Sequence, residues 1–206
     1  MTSTTGRKAM GAWDDRYAGK DWAFGTEPND FLRQEAHRIP EGRVLCMGEG
    51  EGRNSTFLAE QGYEVVGVDR SQVGMDKAQA LAQERGVFVE TVVSSIEDFD
   101  LTEEEWQGIV SIFFHLPPEL RKKVHRSVVN GLAHGGVLIL EAFTPRQLDF
   151  GTGGPPDPDR LVTLSLLEEE LDGLEFLLAQ EVEREIYEGH MHTGRSSVVQ
   201  VVAVRS

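Results

Sequence analysis

Val44-Leu45-Cys46-Met47-Gly48-Glu49-Gly50-Glu51-Gly52-Arg53-Asn54-Ser55 is an apolar run that breaks into glycines at every second position and then into a helical pattern. It reads as a buried strand, a tight turn and a helix N-terminus. Alternate glycines let the backbone take φ values closed to other residues and let a ligand come close to the chain. The helix beyond presents unpaired N–H groups. About 20 residues further on, Val65-Val66-Gly67-Val68-Asp69 repeats the apolar strand and ends it in a carboxylate, the position from which an acid can hold a ribose.

Outward from this pair, apolar runs alternate with amphipathic stretches. Strands are expected at 43–47, 64–68, 87–93, 109–114 and 137–142. Helices are expected at 31–39, 54–61, from an N-cap at Ser71 to about 85, from Pro118 to about 132, and over 161–171. Such alternation predicts parallel pairing with right-handed crossovers. Residues 174–187 and 195–204 lack an intervening helix and are expected to pair antiparallel as a closing hairpin. The stretch 145–160 is rich in proline and glycine and reads as a long irregular loop of the kind that carries function or stays disordered. The acidic run 97–105 reads as a solvated loop.

The 206 residues suit one domain with a full core. Residues 1–11 are small and polar and read as a flexible leader, leaving 12–206 as a single domain. Its opening segment, about 12–40, gathers Trp13, Tyr17, Trp22, Phe24 and Phe31, either to cap the core or to lie as a lid over a ligand mouth. Thirty-five acidic against 20 basic residues give a net charge of -15, which repels phosphate backbones and anionic lipid. Nucleic acid and membrane are therefore not expected as partners. No apolar run approaches a membrane span or a secretory signal, so the cytoplasm is the expected compartment. The single cysteine, Cys46, lies within the first strand and reads as a small buried hydrophobe.

A dinucleotide fingerprint needs its third glycine where Arg53 stands. The glycines at 48, 50 and 52, the acid at 69, the Gly135-Gly136 turn before the fifth strand and the terminal hairpin together resemble the class I S-adenosylmethionine-dependent methyltransferases. The similarity is greatest to the small bacterial branch related to tellurite-resistance and thiopurine methyltransferases. The resemblance covers about residues 40–205 and implies a Rossmann-like α/β fold with a seven-stranded, mostly parallel sheet of order 3-2-1-4-5-7-6 and helices on both faces. It implies S-adenosylmethionine as cofactor, held by Gly48, Glu49, Gly50, Glu51, Gly52, Asn54, Asp69, Arg70, Ser95, Ile96, Glu97, Ile112 and Phe113. Trp13-Asp14-Asp15-Arg16-Tyr17 resembles the N-terminal lid of the branch. Two positions depart from the family pattern. Cys46 stands where many members have an acid, which passes the amino end of the cofactor to Glu49 or Glu51, and Ser95 stands where they have aspartate.

Methyl transfer from a sulfonium asks the protein chiefly for alignment. Tyr17, Phe24 and Phe113 suit a sulfonium through cation–π attraction. Tyr17, His115 and Arg146 are the candidate catalytic residues, Arg146 as a contact for an anionic acceptor. His190 and His192 have a metal-like spacing on a hairpin tip but no third ligand, and no metal is expected. The acceptor is expected to be a small molecule, with a soft thiol- or chalcogen-type compound in view, and the chain to be a monomer or weak homodimer. A catalytically silent S-adenosylmethionine-binding or sensor protein and an NAD-dependent oxidoreductase remain as alternatives.

Overall fold

The computed structural model describes residues 5–102 and 105–206, with side chains from residue 11 onward. Seven strands form one sheet in the order β3-β2-β1-β4-β5-β7-β6. They are β1 (Arg43–Met47), β2 (Glu64–Asp69), β3 (Glu90–Val93), β4 (Trp106–Ile112), β5 (Leu132–Phe143), β6 (Leu174–Glu188) and β7 (His192–Arg205). The first five run parallel, and β7 lies antiparallel between β5 and β6. Strand order reverses between β1 and β4, so the carboxyl ends of these two strands open onto a crevice.

Successive side chains of a strand point to opposite faces, and the core divides accordingly. Leu45, Met47 and Ile109 join Val124 and Val128 of α5 (Pro118–Gly131) and Leu167 of α6 (Leu164–Glu170). Val44, Cys46 and Val110 join Phe31 and Leu32 of α2 (Asp30–Glu35), Leu58 of α3 (Arg53–Glu60) and Ala82 of α4 (Gln72–Glu84) on the other face. With both faces covered, the inner strands read as unbroken apolar runs, as expected for parallel pairing. Ser71 caps α4 by accepting the Gly74 N–H.

Several boundaries move, each for a local reason. Strand β3 starts at Glu90 because the Val87 N–H closes the end of α4 on the Ala82 carbonyl, leaving Phe88 exposed. Strand β4 stops at Ile112 because Phe113 takes φ of 52°, the described residues' one non-glycine in the left-handed region. The 145–160 stretch contains two 3-10 turns, Pro145–Asp149 and Pro158–Arg160. Of the stretch read as a flexible leader, residues 1–4 lie outside the described residues, and from Thr5 the chain is helical, as the start of α1 (Thr5–Tyr17). No helix among the described residues is long and apolar enough to cross a membrane.

Candidate active site

The glycine turn sits at the carboxyl end of β1. Gly48, Gly50 and Gly52 take φ of 61°, 63° and 90°, conformations that only glycine adopts at little cost. Each also faces a different neighbour. A β-carbon at Gly48 would run into the Phe114 ring, and one at Gly52 would lie 2.5 Å from Ala78 Cα in α4. One at Gly50 would lie 2.7 Å from the Tyr17 hydroxyl, so α1 lays an aromatic ring directly over the middle of the turn. Tyr17 stacks on Trp13 and meets Phe24 edge-on, and burial pushes its phenol well above the ordinary range.

Asp69 ends β2 beside this turn. Its Oδ2 accepts the Gly50 N–H at 3.0 Å and its Oδ1 the Ser71 N–H at 2.8 Å. Burial raises its carboxyl pKa against the lowering effect of these two bonds and of Arg70. A carboxylate has about four acceptor positions, so capacity remains beyond these two contacts for a diol. A bare backbone at Gly50 next to a carboxylate that retains lone pairs fits a nucleoside.

Neither glutamate of the turn reaches outward. Glu49 points under the turn, where its Oε1 accepts the Ser55 N–H at 2.8 Å and its carboxyl hydrogen-bonds the Cys46 thiol. Glu51 accepts the Ala23 N–H of the N-terminal segment at 2.8 Å and pairs with Lys77 Nζ of α4 at 2.7 Å. The expectation that one of them organises the amino end of a cofactor is thus not matched in this arrangement, since both are spent on protein partners. Cys46 is buried as expected and its thiol is raised by burial and by Glu49.

Burial pushes the Glu49 carboxyl up to about 7, with Ser55 and Arg53 opposing. In the unfolded chain it titrates near 4.5, so folding favours its protonated form, and stability contributed below pH 4.5 is lost as pH rises through 7. Glu49→Gln should therefore stabilise the chain at pH 8 relative to pH 4.5, by up to about 3 kcal/mol for a shift of this size. Thermal midpoints of both proteins at the two pH values check this; equal gains at each pH would contradict it.

Other expected contacts divide. Ser95 Oγ accepts the Glu97 N–H, Glu97 is exposed, and Ile96 is core beneath β2 and β4 rather than a free wall. Ile112 is buried in the opposite core cluster. Asn54 Oδ1 accepts the Asn29 N–H and so ties the entry segment to α3, while Arg70 is half-buried.

Past the turn, at the ends of β4, β5 and the β6–β7 hairpin, five rings gather. Phe113 stacks on Phe143 at 4.5 Å, His115 on Phe143 at 5.5 Å, and His192 meets Phe24, Phe113 and Phe143 at 4.6, 5.0 and 5.3 Å. His115 is not available as a base. Its Nδ1 donates to the Phe113 carbonyl and its Nε2 accepts the Phe143 N–H, which uses both nitrogens and fixes the neutral tautomer. Burial takes its pKa down to about 3. Arg146 is not in this cage either: its side chain is 69% exposed and pairs with Glu183. His192, which from sequence reads only as one of a pair on an exposed tip, has its ring in this cage instead. The tip packs on the entry segment through Met191 N–H to Ala23 carbonyl and the approach of Gly189 to Gly25, which turns the His192 ring inward. Its Nδ1 is buried without a partner among the described residues, and burial, with Arg53 and Arg16, brings its pKa to about 3. No group of three or more potential metal-ligating side chains occurs among the described residues.

A buried polar network that sequence reasoning missed supports this edge. The Glu141 carboxylate accepts from Asn29 Nδ2 at 2.6 Å, Arg184 Nη2 at 2.7 Å and Gln200 Nε2 at 2.7 Å. Glu188 accepts from Asn29 Nδ2 at 2.9 Å and Arg53 Nη2 at 2.6 Å. The signal available was Glu141 itself, a carboxylate inside the apolar run of β5, which demands a buried cation.

Residues 44–136 match the family described as "Methyltransferase domain". The cypemycin N-terminal methyltransferase of a Streptomyces species is 32% identical over 141 residues, 63% of this chain and 56% of that one. An uncharacterized methyltransferase of Bacillus subtilis, YbaJ, is 26% identical over 53% of this chain and 44% of its own. The chain thus spans about half the length of these curated relatives. Among solved structures, one from a study of the conversion of a disulfide bond into a thioacetal group during echinomycin biosynthesis superposes with a TM-score of 0.77 at 19% identity, covering 96% of this chain and 91% of that one. TehB from Haemophilus influenzae superposes with a TM-score of 0.66 at 20% identity, covering 86% of this chain and 62% of its own.

Proposed function

We propose that this chain is a class I S-adenosylmethionine-dependent methyltransferase and methylates a small soft nucleophile of the thiol or chalcogen type within the ring cage of Phe24, Phe113, Phe143 and His192. When bound, S-adenosylmethionine supplies an electrophilic methyl group on a sulfonium. Asp69 would hold its ribose and the bare backbone of Gly50 would take its close approach. Both lie at the mouth of the turn, whose two glutamates are turned onto protein partners and leave the backbone and Asp69 to face the ligand. Tyr17, lying on Gly50, is the group whose movement would admit and then cover it.

The observation that carries the choice of acceptor is the protonation state of the cage. Hydroxyl acceptors must lose a proton, and a base works best with a pKa near the operating pH. The two imidazoles there have pKa values near 3, and His115 has no free nitrogen. His192 is left as a neutral hydrogen-bond partner that orients an acceptor against apolar walls and does not deprotonate an alcohol. An acceptor that ionises by itself needs nothing more.

A methyl-transfer screen over thiols, selenite, tellurite and small phenols tests this. The expected result is turnover of the thiol or chalcogen compounds, with a pH–rate midpoint that moves with each acceptor's own pKa. His192→Leu should raise KM about fivefold, the loss of one hydrogen bond, with cofactor affinity unchanged. Faster turnover of phenols, with one midpoint common to all acceptors, would place a general base in the site and contradict the reading. Cofactor binding with no turnover of any acceptor would favour a binding protein.

A further inference from the structure

On the face of the sheet covered by α2, α3 and α4, a groove of about 220 Å³ runs along the outer side of α3 from Arg53 towards Glu60. Its lining shares no residue with the ring cage or with Gly48–Gly52, and the function proposed above makes no use of it. Two of the residues lining it each carry a buried polar atom without a partner among the described residues: Nη1 of Arg53, a residue 8% exposed, and Oγ1 of Thr56, a residue 3% exposed. A buried donor left unmatched is costly, the more so when charged, which points to a ligand that brings acceptor atoms to this lining.

The charges favour an anion. Arg33, Arg53 and Arg85 line the groove against Glu27 and Glu60, an excess of one positive charge in a chain of net charge -15. The partner of Arg53, Glu188, is not among the lining residues. Glu27, whose side chain is 67% exposed, bonds Arg33 Nη2 at 3.3 Å and Arg85 Nη2 at 3.1 Å. Its carboxylate thereby bridges α2 and the end of α4, closing the groove as an internal carboxylate that a free one can replace. Glu60 lies 3.7 Å from Arg85 Nη1 and adds little competition.

We propose that this groove binds a small oxyanion, a carboxylate or a phosphate, which takes Arg53 Nη1 and Thr56 Oγ1 and displaces Glu27 from the two rim arginines. Because Arg53 also holds Glu188, the last residue of β6 and the register partner of His192, occupancy of the groove is joined by one side chain to the tip that bears His192.

The test is calorimetric titration of inorganic phosphate and, separately, of acetate into the wild-type chain, Glu27→Gln and Thr56→Val, with sodium chloride at matched ionic strength as control. The expected result is saturable binding in the region of roughly 1 mM for the preferred anion. Glu27→Gln should bind about fivefold more tightly, because the internal competitor is gone, and Thr56→Val about fivefold more weakly. Preference for phosphate or for acetate assigns the class of ligand. Heats no larger than those of chloride, or affinities that neither variant changes, would overturn the proposal. Glu27 is a surface residue and its variant should fold normally, so failure of Thr56→Val to fold would leave the outcome decided by Glu27→Gln.

Discussion

Arg184→Met should destabilise the chain by about 3–5 kcal/mol, the cost of removing one partner from a buried ion pair. The guanidinium is the only cation bonded to Glu141 among the described residues, with Nε at 2.9 Å and Nη2 at 2.7 Å, and Glu141 is fully buried in β5. Without it, two carboxylates, Glu141 and Glu188, would share Asn29 with only Arg53 to offset them. In a domain of this size each kcal/mol moves the thermal midpoint by about 2–4 °C, so a fall on the order of 10 °C is expected. A second change, Glu141→Gln in the Arg184→Met background, should recover a large part of the loss, because the amide is not charged. A fall of less than about 1 kcal/mol would show that the network does not hold this edge of the sheet.

Asp69→Ala carries the largest expected effect on ligand binding. Hydrogen bonds to a charged group contribute about 1.5–3 kcal/mol each, so loss of the carboxylate from a ribose should weaken S-adenosylhomocysteine about 10- to 100-fold. Burial raises the Asp69 pKa, so the folded chain bears some cost for keeping it there, and the variant should lose little stability. The readouts are a calorimetric Kd and a thermal midpoint without ligand. Unchanged affinity would remove Asp69 from the ribose role, and a large loss of midpoint would make it a structural residue.

Much of the fold was legible because its decisive signals are local. Strand β1 occupies the expected 43–47, Ser71 caps α4, Gly50 stands where only glycine fits, and the absence of a helix between 187 and 192 requires a hairpin. What was not legible depends on partners distant in sequence. Glu141 meets Asn29 across 112 residues and Asn29 meets Glu188 across 159, and no periodicity announces such pairs. His192 read as a tip residue because the tip's burial against Ala23 and Gly25 is a tertiary contact. His115 read as a candidate base because its position was right, while the two backbone groups that use up its nitrogens belong to Phe113 and Phe143. The start of α1 was missed for a related reason: Asp14 anchors that helix on Ser71 Oγ at 2.6 Å, 57 residues away.

The measurement that bears most directly on the account is paired calorimetry of the wild-type chain with S-adenosylhomocysteine and with NADH. A glycine turn that places Arg53 where a dinucleotide fingerprint needs glycine, and Asp69 beside Gly50, predict saturable binding of S-adenosylhomocysteine that is weakened by Asp69→Ala, and no binding of NADH. Binding of NADH without binding of S-adenosylhomocysteine would contradict it.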